Sequence, residues 1–207
     1  MSVSEEWFPK QDPRAGGSIY IWMLGAHRTA HTVARDFGHE EVFQLLMERT
    51  PEELKLALAC ELGDDASFHA FFARDPEAAA KLSEEQQRKL PDAAQSNNTK
   101  AVRLMLEAGW PVDTPGEAGA TALHWAGFHG NAEMARAILK HHPTLELKSR
   151  EYEGTALGWA LYGSGNGWHR DTGDYVGTVR ALLEAGAILP PHAAELEPSD
   201  AVLEVLP

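Results

Sequence analysis

"GATALHWAGFHGNAEMARAIL", residues 119–139, gathers Thr121, His124, Trp125, Phe128 and His129 into one short stretch with a helical look. Such a set of side chains suits a reactive centre, or a structural unit that stacks on copies of itself. The rest of the chain decides between them, because a stacking unit must recur at a fixed period. Four other segments share its register: "TAHTVARDFGHEEVFQLLM", "LKLALACELGDDASFHAFF", "RKLPDAAQSNNTKAVRLML" and "TALGWALYGSGNGWHRDTGDYVGTVRALL". Each places a small residue in a first helix and an apolar pair in a second.

The small residues are Ala34, Ala59, Ala93, Ala126 and Ala160, at intervals of 25, 34, 33 and 34. From each alanine to the second member of the apolar pair (Met47, Phe72, Leu106, Leu139) the distance is 13, and in the fifth segment, from Ala160 to Leu183, it is 23. The fifth unit therefore carries a ten-residue insertion. A lone helix pair cannot bury its apolar stripe, so such units stack, and alanine at the crossing lets neighbouring helices approach closely. Thr121 can cap the orphan N–H groups of its helix, and His124 can hydrogen-bond to the next turn or to a neighbour. Gly109, Gly130 and Gly186 suit left-handed turns at helix ends.

The period, together with Thr121, Leu123, His124, Ala126 and Gly130 followed by "EMARAIL" and with "LLEAGA" closing the fifth unit, resembles the ankyrin repeat family. The resemblance covers about residues 26 to 190 and implies an all-α ankyrin-repeat solenoid of about five helix-turn-helix repeats with short β-like fingers. The repeats are placed at about 26–50, 51–83, 84–115, 116–148 and 149–188. Residues 1–25 form an extended lead-in with an apolar strand or partial repeat, and 189–207 a C-terminal capping segment. Departures from the pattern are plain: the second unit lacks the Thr and His, the third has Pro91 where His is expected, and the fifth has Gly158 there.

Arrays of this family generally act as binding scaffolds, so the resemblance implies a protein or peptide partner. The two positions before each helix-closing glycine are expected to face the concave side: Asp36 and Phe37, Glu61 and Leu62, Gln95 and Ser96, Phe128 and His129, Tyr162 and Gly163. Exposed aromatics in a groove are the anchors that dominate interface energetics. Phe37, Phe128 and Tyr162 are either such anchors or packing against neighbouring repeats. The insertion "GSGNGWHRDTGDY", residues 163–175, reads as a long loop, and long loops in compact arrays are often functional. Within it Trp168, His169 and Arg170 are candidate contacts, unless Trp168 folds back to plug its own loop. Trp125 and Trp159 share one repeat position and read as core.

Composition narrows the function classes. With 18 Lys plus Arg against 31 Asp plus Glu, the net charge is −13, which disfavours nucleic acid and anionic lipid as partners. The apolar run "SIYIWMLGA", residues 18–26, falls far short of the roughly 20 residues a membrane helix needs, so no membrane span is expected. The acidic start and the single Cys point to a reducing, cytoplasmic setting. Residues 18–24 are the expected site of any self-association, and they leave open whether the chain works alone or beside another domain of a longer polypeptide.

Chemistry finds little support in the spacing. His141 and His142 are adjacent and cannot share a face, His124 and His129 are five apart, and Cys60 lies in another repeat, so neither a metal nor a cofactor is expected. No GxSxG stretch appears, and "GSGNG" lacks the Lys-Ser/Thr ending of a phosphate loop. No catalytic residues are assigned, and no enzyme is expected. A weaker alternative, a hydrolase using His169 and Asp171, requires a deep polar pocket at the insertion.

Overall fold

A computed structural model describes residues 29–207; the lead-in at 1–25 and the self-association stretch at 18–24 lie outside the described residues. The chain divides into an N-terminal part, 1–55, and a main body, 56–207.

In the N-terminal part α1 (Ala30–Asp36) packs against α2 (Glu40–Arg49). Thr29 caps α1, its hydroxyl accepting from Thr32 N–H, and His31 Nε2 meets Thr50 Oγ1 at 2.8 Å, tying the two ends of the pair. Gly38 turns the chain at φ 71, an angle open to glycine at no steric cost. Ala34 is buried, while Phe37, Val42 and Leu45 remain exposed on this pair.

The remaining helices are α3 (Glu52–Leu62), α4 (Asp65–Arg74), α5 (Glu84–Gln87), α6 (Lys89–Gln95), α7 (Thr99–Glu107), α8 (Ala122–Phe128), α9 (Ala132–Leu139), α10 (Ala156–Asn166), α11 (Tyr175–Glu184) and α12 (Asp200–Leu203). First helices pack in one row, α6 on α8 and α8 on α10; second helices pack in another, α7 on α9 and α9 on α11. Ala93, Ala126 and Ala160 sit on consecutive helices of the first row, at 9%, 0% and 0% exposure, inside one continuous core. The core extends through Cys60 and Phe68 of α3 and α4 to Leu157 and Leu182. Residues 74–89, between the second and third repeats, hold a 3-10 turn at Ala78–Lys81 and the short α5, which Ser83 and Gln86 close with a reciprocal capping box.

The fingers between repeats are turns, and no residue in the described range is in a strand. Gly116 N–H donates to Ala120 O across one finger and Ser149 N–H to Gly154 O across the next, while Glu151 N–H donates to Ala118 O and joins the two. Asp113 accepts from Thr144 N–H and Oγ1, so the fingers are also linked by side chains.

The insertion differs from its expected form. Residues 163–166 do not belong to the loop: α10 runs on through Asn166, and only 167–174 are irregular before Tyr175 opens α11. Gly163, expected on the concave face beside Tyr162, is therefore helical and buried. The reason is close approach, since a Cβ on Gly163 would lie 2.5 Å from Phe128 O and one on Gly165 would lie 2.0 Å from Glu197 O. At the far end Val202 is fully buried, Val205 and Leu206 pack against the core, and Ser199 N–H donates to Ser164 Oγ at 3.0 Å.

Candidate functional site

The opening stretch forms a cap before it forms anything else. Thr121 N–H donates to His124 Nδ1 at 3.1 Å, and the hydroxyl of Thr121 lies 2.8 Å from the same nitrogen. His124 Nε2 lies 3.1 Å from Gly154 O, which can only accept, so Nε2 carries the proton and the neutral ring clamps its own helix start to the next finger. His124 is 1% exposed.

A second set of polar contacts joins repeats at the turns between their helices. Asn98 Nδ2 donates to Glu61 O, and Asn131 Nδ2 donates to Asn97 Oδ1 and to Thr99 Oγ1. His129 Nε2 donates to Gln95 O at 2.9 Å, and Tyr175 Oη donates to Phe128 O at 2.8 Å. Each carries a buried or half-buried group of one repeat onto the backbone or side chain of the one before.

Burial drives both histidine pKa values down from the ordinary value. For His124 the bond to Gly154 O partly offsets this; for His129 the bond to Gln95 O offsets it and the nearby His169 adds to the depression. The unfolded chain then binds protons more readily than the folded one below about pH 6.5, so the stability these groups contribute is complete above that pH and is lost as pH falls toward the depressed folded values. Two such histidines give a slope of up to about 2.7 kcal/mol per pH unit in that window. Urea unfolding at pH 7.5 and at 5.5 is expected to show a lower stability at 5.5, and equal midpoints would remove this account.

The expected face residues separate on inspection. Phe128 is half-buried, Gln95 is half-buried with its Nε2 donating to Glu117 Oε2, and Ser96 and Tyr162 are exposed. His129 departs from the expectation: it is 2% exposed, because its ring turns inward to reach Gln95 O and is covered by the insertion. Asp36 and Phe37 are exposed on the N-terminal pair. Trp168 does fold back, stacking on Trp125 at 6.1 Å and meeting Phe128 edge-on at 5.1 Å, yet it stays 68% exposed on its outer side. The fold-back alternative is the one seen, and the outer side of the ring stays accessible. Trp125 and Trp159 are buried at 7% and 8% and meet edge-to-face at 5.2 Å.

Sequence reasoning did not foresee that these rings join. Tyr152 on the finger meets Trp159 at 5.7 Å, Trp159 meets Trp125 and Phe128, and those carry Trp168 and His129, forming an aromatic ribbon from fingertip to insertion. Its two ends, Tyr152 and Trp168, are 65% and 68% exposed. The signal for the far end was a tryptophan in an insertion whose return to α11 is fixed by Tyr175, packed against Gly130 and Gly173. Burial pushes the Tyr175 hydroxyl up to about 12. Tyr175→Phe leaves the Phe128 carbonyl without this donor and is expected to cost about 1–2 kcal/mol, read from denaturant midpoints, with no change if the bond is idle.

Beside the ribbon lies an open cleft of about 370 Å³ lined by Asn97, Asn131, Arg136, His169, Thr172 and Asp174 among others. His169 lines it next to His129, ring centroids 5.0 Å apart, whereas the Asp171 carboxylate faces Arg170 at 3.6 Å. The His169–Asp171 pair required for a hydrolase is not assembled there. Among the described residues no group of three His, Cys, Asp or Glu side chains could hold a metal ion, and no helix is long and apolar enough to cross a membrane.

Comparison with known proteins agrees with the stacked helix pairs. A family profile described as "Ankyrin repeats (3 copies)" matches residues 56–150 and 90–189, and the chain belongs to the ankyrin repeat family. Notch-regulated ankyrin repeat-containing protein A of Danio rerio is 31% identical over 106 residues, 49% of this chain and 88% of that protein. Palmitoyltransferase Hip14 of Drosophila melanogaster is 30% identical over 95 residues, 46% of this chain but 13% of that enzyme. Ankyrin repeats are in general protein–protein interaction modules.

Proposed function

We propose that this chain is a non-enzymatic scaffold that binds a protein or peptide through the first-helix row, the fingers and the insertion of its main body. The observation that carries this is the aromatic ribbon with Trp168 and Tyr152 exposed at its ends, with Tyr162 of α10 exposed as well. Large, rigid aromatic surface held by a packed backing is what interface hot spots consist of. Gln95, Ser96 and Arg170 supply polar contacts around it, His169 borders it, and His129 acts from beneath as support. Asp36 and Phe37 offer a further exposed contact on the N-terminal pair. The net charge of −13 favours a partner that is not itself strongly acidic.

Affinity capture with the full chain and with the Tyr152→Ala, Tyr162→Ala double variant tests this. Both side chains are exposed, so the fold is kept. The reading expects at least about a tenfold loss of the captured partner in the variant; equal capture by both would refute it. A second reading is an accessory array working beside another domain, and the Hip14 match favours it, since there the matching segment is a small part of a longer palmitoyltransferase.

A further inference from the structure

Two buried polar atoms on one face of α8 have no hydrogen-bond partner: Trp125 Nε1 and His129 Nδ1. Buried polar groups in folded proteins are nearly always bonded, so two orphans one helical turn apart call for an explanation. Their chemistry is fixed by what surrounds them. An indole Nε1–H can only donate. His129 Nε2 carries its proton because it faces the Gln95 carbonyl at 2.9 Å, which leaves Nδ1 of the neutral ring as a bare acceptor. The i, i+4 spacing stacks the two rings, centroids 5.9 Å apart and 26° from parallel.

Above them sits Trp168, stacked on Trp125 at 6.1 Å, touching Phe128 at 5.1 Å and His129 at 5.7 Å, and still 68% exposed. It belongs to the irregular stretch 167–174 and not to the helical core, so displacing it uncovers the floor while the stacked helices stay in place. The floor then presents one donor and one acceptor one helical turn apart, on stacked aromatic rings. A primary carboxamide is the complement: planar, able to stack on indole, with its carbonyl and its NH2 on one edge. A carboxylate has no proton for Nδ1, and a thioether offers Nε1–H only a weak acceptor and Nδ1 no donor.

We propose that this slot takes the side-chain carboxamide of a glutamine or asparagine in the partner segment, its oxygen accepting from Trp125 Nε1–H and its NH2 donating to His129 Nδ1. The proposal rests on the scaffold reading and names what the scaffold grips.

The test is a titration of the full chain, ¹⁵N-labelled, followed at the indole N–H signals, with Trp125→Phe used to assign the Trp125 peak. Three tripeptides capped as N-methylamides, so that only the Gln side chain carries a primary carboxamide, Ac-Gly-Gln-Gly-NHCH3, Ac-Gly-Glu-Gly-NHCH3 and Ac-Gly-Met-Gly-NHCH3, are compared at millimolar concentration on the wild-type chain and on Trp168→Ala. A saturable shift of the Trp125 Nε1–H signal is expected with the Gln peptide, at least about tenfold weaker with the other two, as loss of one or both bonds implies, and tighter in Trp168→Ala, where the covering ring is gone. The comparison among peptides on the wild-type chain needs no variant to fold. Equal shifts with all three peptides mean backbone or non-specific contact and overturn the proposal, as does the lack of any saturable shift in both chains. If a protein partner is still captured with full affinity by His129→Phe, the scaffold stands and this site falls.

Discussion

A single methyl group placed on Gly127 or on Gly163 is expected to lower the stability of the main body by about 1–3 kcal/mol each, among the largest effects of so small a change in this chain. Both glycines lie where α8 crosses α10. A Cβ on Gly127 would sit 2.5 Å from Ala156 O, and one on Gly163 would sit 2.5 Å from Phe128 O. In each case the obstacle is backbone of the neighbouring repeat, which cannot swing aside as a side chain could. The helices must separate, and separation loosens Ala126, Ala160, Leu157 and Leu161, all at 1% exposure or less. Gly158 is the control within the same helix. A Cβ there meets Thr155 Oγ1 at 3.7 Å and Leu196 Cδ1 at 3.9 Å, ordinary contact, so Gly158→Ala is expected to stabilise by about 0.5–1 kcal/mol through helix propensity alone. Chemical denaturation of the three variants decides the matter: if all three behave alike, the close crossing is not what positions these repeats.

The second large effect concerns reactivity. Cys60 is fully buried, and burial pushes its thiol up to about 12, with Glu107 adding a smaller push in the same direction. Against the ordinary value of 9.0 this lowers the thiolate fraction at pH 8 by about a thousandfold, before any account of steric access. A thiol reagent such as DTNB is therefore expected to leave Cys60 untouched for the folded chain and to titrate one thiol as soon as denaturant unfolds it. The midpoint for labelling should coincide with the midpoint for loss of helical circular dichroism. Labelling of the folded chain within seconds would mean that α3 opens locally.

Much of this was legible in the chain itself. The register of alanines, the Thr121 and His124 pair, and the left-handed glycines at 109, 130 and 186 (φ 94, 62 and 101) are local requirements, each set by the backbone within a few residues, and they recur because every repeat must solve the same packing problem. The all-helical array follows from them. The fate of His129 was not legible in the same way. Its position in the repeat marks an exposed face, yet its partner is a carbonyl 34 residues upstream and its cover comes from the insertion downstream.

The glycines of α10 make the same distinction. Read alone, "GSGNG" favours a loop, since glycine weakens a helix, but Gly163 and Gly165 are helical because the backbones of Phe128 and Glu197 come too close for any side chain. Periodic, short-range demands of stacking were written in the sequence. The aromatic ribbon, the inward histidine and the two unpartnered atoms beneath Trp168 were settled only in three dimensions, because they depend on which distant segments an irregular insertion brings together, and no local preference encodes that.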